Sequence, residues 1–226
     1  GTSIAAYACR AGISCDIYVP ENTSAKKVNQ IAYHGANVHL IEGSRENTAK
    51  AALEAVERGE GFYASHVYNP FFYEGTKTFV YELFEQLDGI MTDTLVLPTG
   101  NGTLLLGAYL GLKELVSMEL IDKMPRIIAV QSENCAPIFE AFKNNMLDVE
   151  SVTNTGTLAE GIAIAEPKRG RQILEAIRET GGDVIIAPEN KIIETRKYLA
   201  KKGFYVEPTT AATFAAFFEY SKKINS

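Results

Sequence analysis

Residues Leu95-Val-Leu-Pro-Thr-Gly-Asn-Gly-Thr-Leu-Leu-Leu-Gly107 constrain this chain more than any other stretch. A short apolar run, a glycine-rich turn and an apolar helix follow one another without a break, the order in which α/β folds build a phosphate site. Gly100 and Gly102 let the backbone turn sharply and come close to a ligand. Unpaired N–H groups at the helix start point outward, and the helix dipole favours an anion there. Thr99, Gly100, Asn101, Gly102 and Thr103 are therefore expected to form a phosphate cradle. Two other cradles do not fit: no Lys-Ser/Thr pair follows the loop, and the glycines are not spaced Gly-x-Gly-x-x-Gly. The pattern points to a small phosphorylated cofactor held by backbone amides without a metal, although a plain strand-to-helix turn reads the same way.

The flanking pattern places this junction in a parallel sheet. Ile127-Ile-Ala-Val130 and Val184-Ile-Ile-Ala187 are continuous apolar runs, as expected of strands covered by helices on both faces. Strands are expected at 94–98, 126–131, 183–187 and 204–206. Helices are expected from the cradle to about Met118, over Ala136 to Asn144, Arg171 to Thr180 and Asn190 to Lys201, and at the end, where Ala211, Phe214, Ala215 and Phe218 share a face. Thr153 to Pro167 is punctuated by glycine and has no clear period. In the first third, a helix stopped by Gly12 precedes a strand at Cys15 to Pro20. A helix after Ser24, a strand at Asn37 to Ile41, a helix introduced by Ser44 and a strand at Phe62 to Ser65 follow. That βαβαβ run implies parallel strands with right-handed crossovers. Asn69-Pro70 marks a break. Residues 1–68 are expected to be a small mobile α/β domain, incomplete at its N-terminus, and 69–226 a larger α/β domain that binds the phosphate. The fold class is α/β: two three-layer αβα lobes with mostly parallel sheets and ligands at the carboxyl ends of the strands.

Composition narrows the function. A formal net charge of -6 is the wrong sign for a nucleic-acid protein, which needs a basic face. No apolar run is long enough to span a membrane, and no basic-then-apolar leader opens the chain. Cys9, Cys15 and Cys135 are odd in number and lack Cys-x-x-Cys spacing, so they read as free thiols of a cytoplasmic protein. His34, His39 and His66 fall in different elements, which gives little support to a zinc site or a Ser-His pair. A helix already under way at Gly1 reads as the later part of a longer protein.

Three motifs carry a resemblance. Asn69-Pro-Phe-Phe-Tyr-Glu-Gly-Thr-Lys-Thr78 looks like the Asn-Pro-Phe-Arg-x-Glu-Gly-Gln-Lys-Thr of pyridoxal-phosphate enzymes of the tryptophan-synthase-β type, most closely threonine synthase. Pro98-Thr-Gly-Asn-Gly-Thr103 resembles the cofactor-phosphate loop of that family. Glu207-Pro-Thr-Thr-Ala-Ala212 resembles the segment whose Ser or Thr touches the pyridine nitrogen, and Gly1 to Ala8 the helix after its Ser-Gly-Asn-Thr loop. The resemblance spans essentially the whole chain and implies the fold type II architecture and pyridoxal 5'-phosphate as cofactor. It also implies a small amino-acid substrate, elimination or replacement at Cβ or Cγ, and a homodimer. By the same resemblance, Thr209, or else Thr210, presents a neutral hydroxyl to the ring nitrogen, leaving a weaker electron sink than a carboxylate partner does. Glu160-Gly161-Ile162 resembles a loop lining the hydroxyl side of the cofactor. From the residues alone, Thr209 as a helix cap and Gly161 in a surface turn stay open.

Two departures from the family pattern matter. By the resemblance, the family lysine that carries the cofactor falls in a Ser-x-Lys-Asp segment upstream of the position of Gly1, so this chain by itself is expected to be inactive. Phe72 stands where threonine synthases carry an arginine that pairs with the substrate phosphate, and an apolar ring cannot replace a bidentate cation. Thr157-Leu-Ala-Glu-Gly-Ile-Ala163 leans toward the related dehydratases. A serine/threonine dehydratase-like deaminase and a non-catalytic cofactor-binding subunit are the alternatives.

Overall fold

A computed structural model describes residues 1–43 and 45–224; Ser44, the expected helix start, lies outside the described residues. The chain divides into two compact units, Gly1–Ser65 and His66–Ser226.

In the first unit the order is α1 (Thr2–Ala11), β1 (Asp16–Pro20), α2 (Ala25–Ala32), β2 (Asn37–Ile41) and α3 (Arg45–Glu57). Gly12 ends α1 in the left-handed region, φ 67°, where glycine carries no Cβ penalty, and its N–H closes the helix on Cys9. β1 and β2 pair in parallel, Asp16 opposite Asn37 through Pro20 opposite Ile41. Ala5, Ile17, Ile31 and Ala36 form a small core between this sheet and the helices α1 and α2. The expected strand at Phe62 to Ser65 is absent, so the run is βαβ followed by α3. Phe62 faces solvent, and the Ser65 N–H bonds back to the Tyr63 carbonyl at 2.9 Å, which uses the donor a ladder would need.

The second unit contains α4 (Phe72–Thr76), α5 (Thr78–Gln86), β3 (Thr94–Pro98), α6 (Thr103–Ser117), β4 (Arg126–Ser132) and α7 (Pro137–Lys143). A 3-10 turn (Glu160–Ile162), α8 (Gly170–Glu179), β5 (Asp183–Ala187), α9 (Glu189–Lys201) and α10 (Pro208–Ile224) follow. The sheet order is β3-β4-β5, all parallel. Strand side chains alternate between two cores. Leu95, Leu97, Ile127, Ala129 and Val184 pack with the helices α4 to α8, whereas Ile128, Val130, Ile185 and Ala187 pack with α9, α10 and the 3-10 turn. Burial on both faces is why these strands read as continuous apolar runs. Leu105, Leu112, Ile127, Ile173, Leu174 and Ile177 are fully buried, each contributing about 1.5–3 kcal/mol.

The expected strand at 204–206 is also absent. Phe204 and Tyr205 are exposed, and Arg196 holds the segment in place of a ladder: its Nε donates to the Val206 carbonyl at 2.8 Å and its guanidinium lies 4.9 Å from the Tyr205 ring centroid. Among the described residues no helix is long and apolar enough to cross a membrane.

Candidate cofactor-phosphate site

At the carboxyl end of β3 the backbone turns through Thr99 to Gly102 into α6. Thr99 is fully buried and already engaged: its N–H donates to the Val130 carbonyl at 2.9 Å and its hydroxyl to the Leu97 carbonyl at 3.0 Å. It anchors the turn. Gly102 occupies the N-cap position of α6 with φ 74°, a conformation only glycine adopts without strain, and no side chain caps the helix. The N–H groups of Gly100, Asn101, Gly102 and Thr103 have no acceptor among the described residues. Gly100 and Gly102 are buried, and buried amides in native proteins are almost always paired.

The neighbouring junctions at this sheet end are closed from within. Gln131, fully buried near the end of β4, accepts the Ile138 and Phe139 N–H groups through Oε1 at 2.9 and 3.0 Å, capping α7. Its Nε2 donates to the Thr99 carbonyl at 3.3 Å, tying α7 to the first residue of the cradle. At the start of α9, Glu133 accepts the Glu189 N–H at 2.5 Å. Of these three junctions only α6 has none of its first amides paired among the described residues, and a dianionic phosphate at a helix N-terminus fits that requirement.

Two distant segments meet the cradle. A Cβ on Gly100 would lie 3.1 Å from the Gly161 carbonyl and 3.0 Å from Ile164 Cγ1, and a Cβ on Gly161 would lie 2.8 Å from Thr209 Oγ1. Gly100, Gly161 and Thr209 therefore converge, and the two glycines are what permit the approach. Thr209 is the second residue of α10; the cap position belongs to Glu207, whose carbonyl receives the Ala211 N–H at 3.1 Å. Thr209 is buried as a residue, and its hydroxyl makes no hydrogen bond to any described residue. Thr210, next along the helix, is less buried.

The segment 69–78 registers against the same helix. The Thr76 hydroxyl donates to the Thr103 carbonyl at 3.0 Å. Gly107 and Gly111 let α4 and α5 lie directly on α6: a Cβ on Gly107 would fall 2.1 Å from Thr76 Oγ1, and one on Gly111 would fall 2.8 Å from the Lys77 carbonyl. Phe72 opens α4, partly exposed, with His66 edge-on at 5.8 Å between centroids. Lys77 is held by Glu114 at 2.8 Å and by Glu74, which raises its pKa and keeps it a cation rather than a free amine. Gln131, Gly107 and Gly111 were not among the expected site residues. Their signals are a polar residue near the end of an apolar strand and two glycines four apart on one helix.

A family model described as "Pyridoxal-phosphate dependent enzyme" matches residues 1–226. The chain belongs to the pyridoxal-phosphate-dependent enzyme family. The cofactor of that family is pyridoxal 5'-phosphate. Threonine synthases of Methanocaldococcus jannaschii and Methanosarcina acetivorans are 32% and 33% identical to this chain. Each match extends over 94% of the chain and 53% of the relative, so the chain spans about half the length of these curated relatives. Among solved structures, the processed form of threonine deaminase isoform 2 from Solanum lycopersicum superposes with a TM-score of 0.80 at 21% identity, covering 98% of this chain and 59% of that one. Maize serine racemase superposes at 0.77 with 22% identity, covering 96% and 64%. These structural likenesses establish the family's α/β fold.

Proposed function

We propose that this chain carries the cofactor-phosphate lobe of a threonine-synthase-like lyase that eliminates or replaces a group at Cβ or Cγ of an amino acid. The observation that carries the reading is the row of open amides from Gly100 to Thr103, beside two junctions that cap themselves. Pyridoxal phosphate, when bound, supplies the electron sink for such chemistry. The loop amides hold its phosphate, with the Asn101 and Thr103 side chains adding polar contacts and Thr99 anchoring the turn. Gly161 lines the hydroxyl side of the ring. Thr209 presents a neutral hydroxyl to the ring nitrogen, a role consistent with its unpaired hydroxyl and with its place inside α10. Residues 69–226 form the cofactor domain and 1–68 a small mobile domain. The intact enzyme works in the cytoplasm as a homodimer.

The amine that holds the cofactor comes from outside this chain. The ion-paired state of Lys77 supports this. Borohydride reduction of this chain with pyridoxal phosphate, followed by peptide mapping, is expected to label no lysine stoichiometrically; one specific, complete label defeats the claim.

Phe72 favours a second reading, a serine/threonine dehydratase-like deaminase, because an apolar ring stands where a substrate phosphate needs a cation. Loss of such a contact costs roughly 1.5–3 kcal/mol. Assays of the full-length protein with pyridoxal phosphate separate the two readings. Oxo-acid release from serine or threonine, with phosphohomoserine at least about tenfold poorer than with an arginine-containing relative, is the expected result. Rapid threonine formation from phosphohomoserine shows that another cation has taken over. A protein that binds no pyridoxal phosphate overturns both.

A further inference from the structure

Three donors from two segments converge on the Glu189 carboxylate. The Ser132 hydroxyl at 3.1 Å and the Thr157 hydroxyl at 2.7 Å donate to Oε2, and the Leu158 N–H donates to Oε1 at 2.6 Å. Glu189 is the first residue of α9, where an acidic side chain ordinarily serves the helix's own amides. Here Pro188 at the N-cap has no side-chain acceptor, and Glu133 takes the Glu189 N–H instead. The Glu189 side chain is thereby released to reach the irregular segment before the 3-10 turn.

The same segment is held elsewhere by hydrogen bonds to Asn134 and by Ala159 and Ile162, which are buried in the core shared with α9 and α10. Asn134 binds residues 155 and 156, through its carbonyl to the Thr155 N–H at 3.1 Å and through Nδ2 to the Gly156 carbonyl at 2.6 Å. Between Glu189 and that buried turn, the Thr157 hydroxyl accepts the Ala159 N–H at 3.1 Å, and the Ala159 carbonyl accepts the Ile162 N–H at 3.0 Å. The next group in that line is Gly161, which meets Gly100 and Thr209.

We propose that Glu189 is a positioning residue for the cofactor site. Its carboxylate fixes residues 157–162 so that Gly161 closes against both the phosphate cradle and Thr209. The proposal rests on the functional reading above. Glu189 acts as a hydrogen-bond acceptor and not through its charge. A side-chain amide at the same place keeps the acceptor for Leu158, while the Ser132 and Thr157 hydroxyls rotate to accept from its NH2.

The test compares Glu189→Gln, Glu189→Ala and Thr157→Val in the full-length protein by hydrogen exchange over residues 153–163, pyridoxal-phosphate titration and thermal melting. Glu189→Ala is expected to speed exchange of the Leu158 to Ile162 amides about tenfold and to weaken cofactor binding about tenfold, the scale of one lost hydrogen bond. Glu189→Gln is expected to stay within about threefold of wild type on both readouts, with Thr157→Val between the two. Wild-type exchange and affinity in Glu189→Ala overturn the proposal, as does a lowered melting point with unchanged affinity. A Gln variant as damaged as the Ala variant overturns the acceptor role. If Glu189→Ala does not fold, Thr157→Val carries the comparison. A wild-type protein that binds no cofactor defeats the functional reading, and the exchange data then decide the clamp alone.

Discussion

The β3–α6 and β5–α9 junctions have the same connectivity, lie at the same end of one sheet, and treat their helix amides in opposite ways. At β5–α9 a glutamate from the neighbouring strand end closes the first amide of α9, and the side chain of the first helical residue is spent on a loop. At β3–α6 the turn is made of glycines, no side chain caps the helix, and four amides face away from every described acceptor. The two junctions thus differ in which cap the chain withholds, because every helix of this topology starts with open amides and a favourable dipole.

The largest expected effect bears on the open junction. From the sequence, Gly102→Val is expected to weaken cofactor binding far more than it lowers stability. The geometry revises this: at φ 74° a valine is strained, and its Cβ would lie 2.4 Å from Cδ1 of the fully buried Ile173. Together these should cost about 2–5 kcal/mol, so the urea midpoint falls along with cofactor affinity. Unchanged unfolding would mean that Ile173 yields without cost.

Thr103→Asp is the cleaner probe. Thr103 is the first residue of α6, where a carboxylate gains about 0.3–1 kcal/mol from the dipole and occupies the place of the phosphate. Cofactor affinity should fall roughly a hundredfold, about 2.7 kcal/mol, with melting unchanged or raised. Wild-type affinity in this variant would put the phosphate elsewhere.

Gln131→Leu turns a closed junction into an open one. It strips two α7 amides and the Thr99 carbonyl of their partner, which should lower stability by about 1–3 kcal/mol. A melting curve identical to wild type would break the contrast between capped and open junctions.

Thr209 gives the smallest stability effect and the sharpest chemical one. Because its hydroxyl bonds to no described residue, Thr209→Ala should leave melting nearly unchanged, whereas loss of a true cap costs about 0.5–2 kcal/mol. Thr209→Asp should slow elimination and raise racemisation or transamination, since a carboxylate beside the ring nitrogen holds a proton there. Product ratios of the full-length variants read this out; wild-type partitioning in the Asp variant would shift the role to Thr210.

Local features are readable from the residues alone. The strands expected at 94–98, 126–131 and 183–187 are legible because both of their faces are buried, and the turn at Gly100 to Gly102 because only glycine takes that backbone path beside a helix start. Gly12 stops α1 for a reason contained in one residue. What the tertiary structure alone decided is pairing across distance. Phe62 to Ser65 and Phe204 to Val206 have the composition of strands, but a strand exists only where an edge accepts it; here a turn bond in one case and Arg196 in the other take that place. The meeting of Gly100, Gly161 and Thr209, the buried cap supplied by Gln131 and the reach of Glu189 to Leu158 likewise depend on which loops share one end of the sheet. A helix's open amides are a local property, and whether they stay open is settled by side chains arriving from elsewhere in the chain.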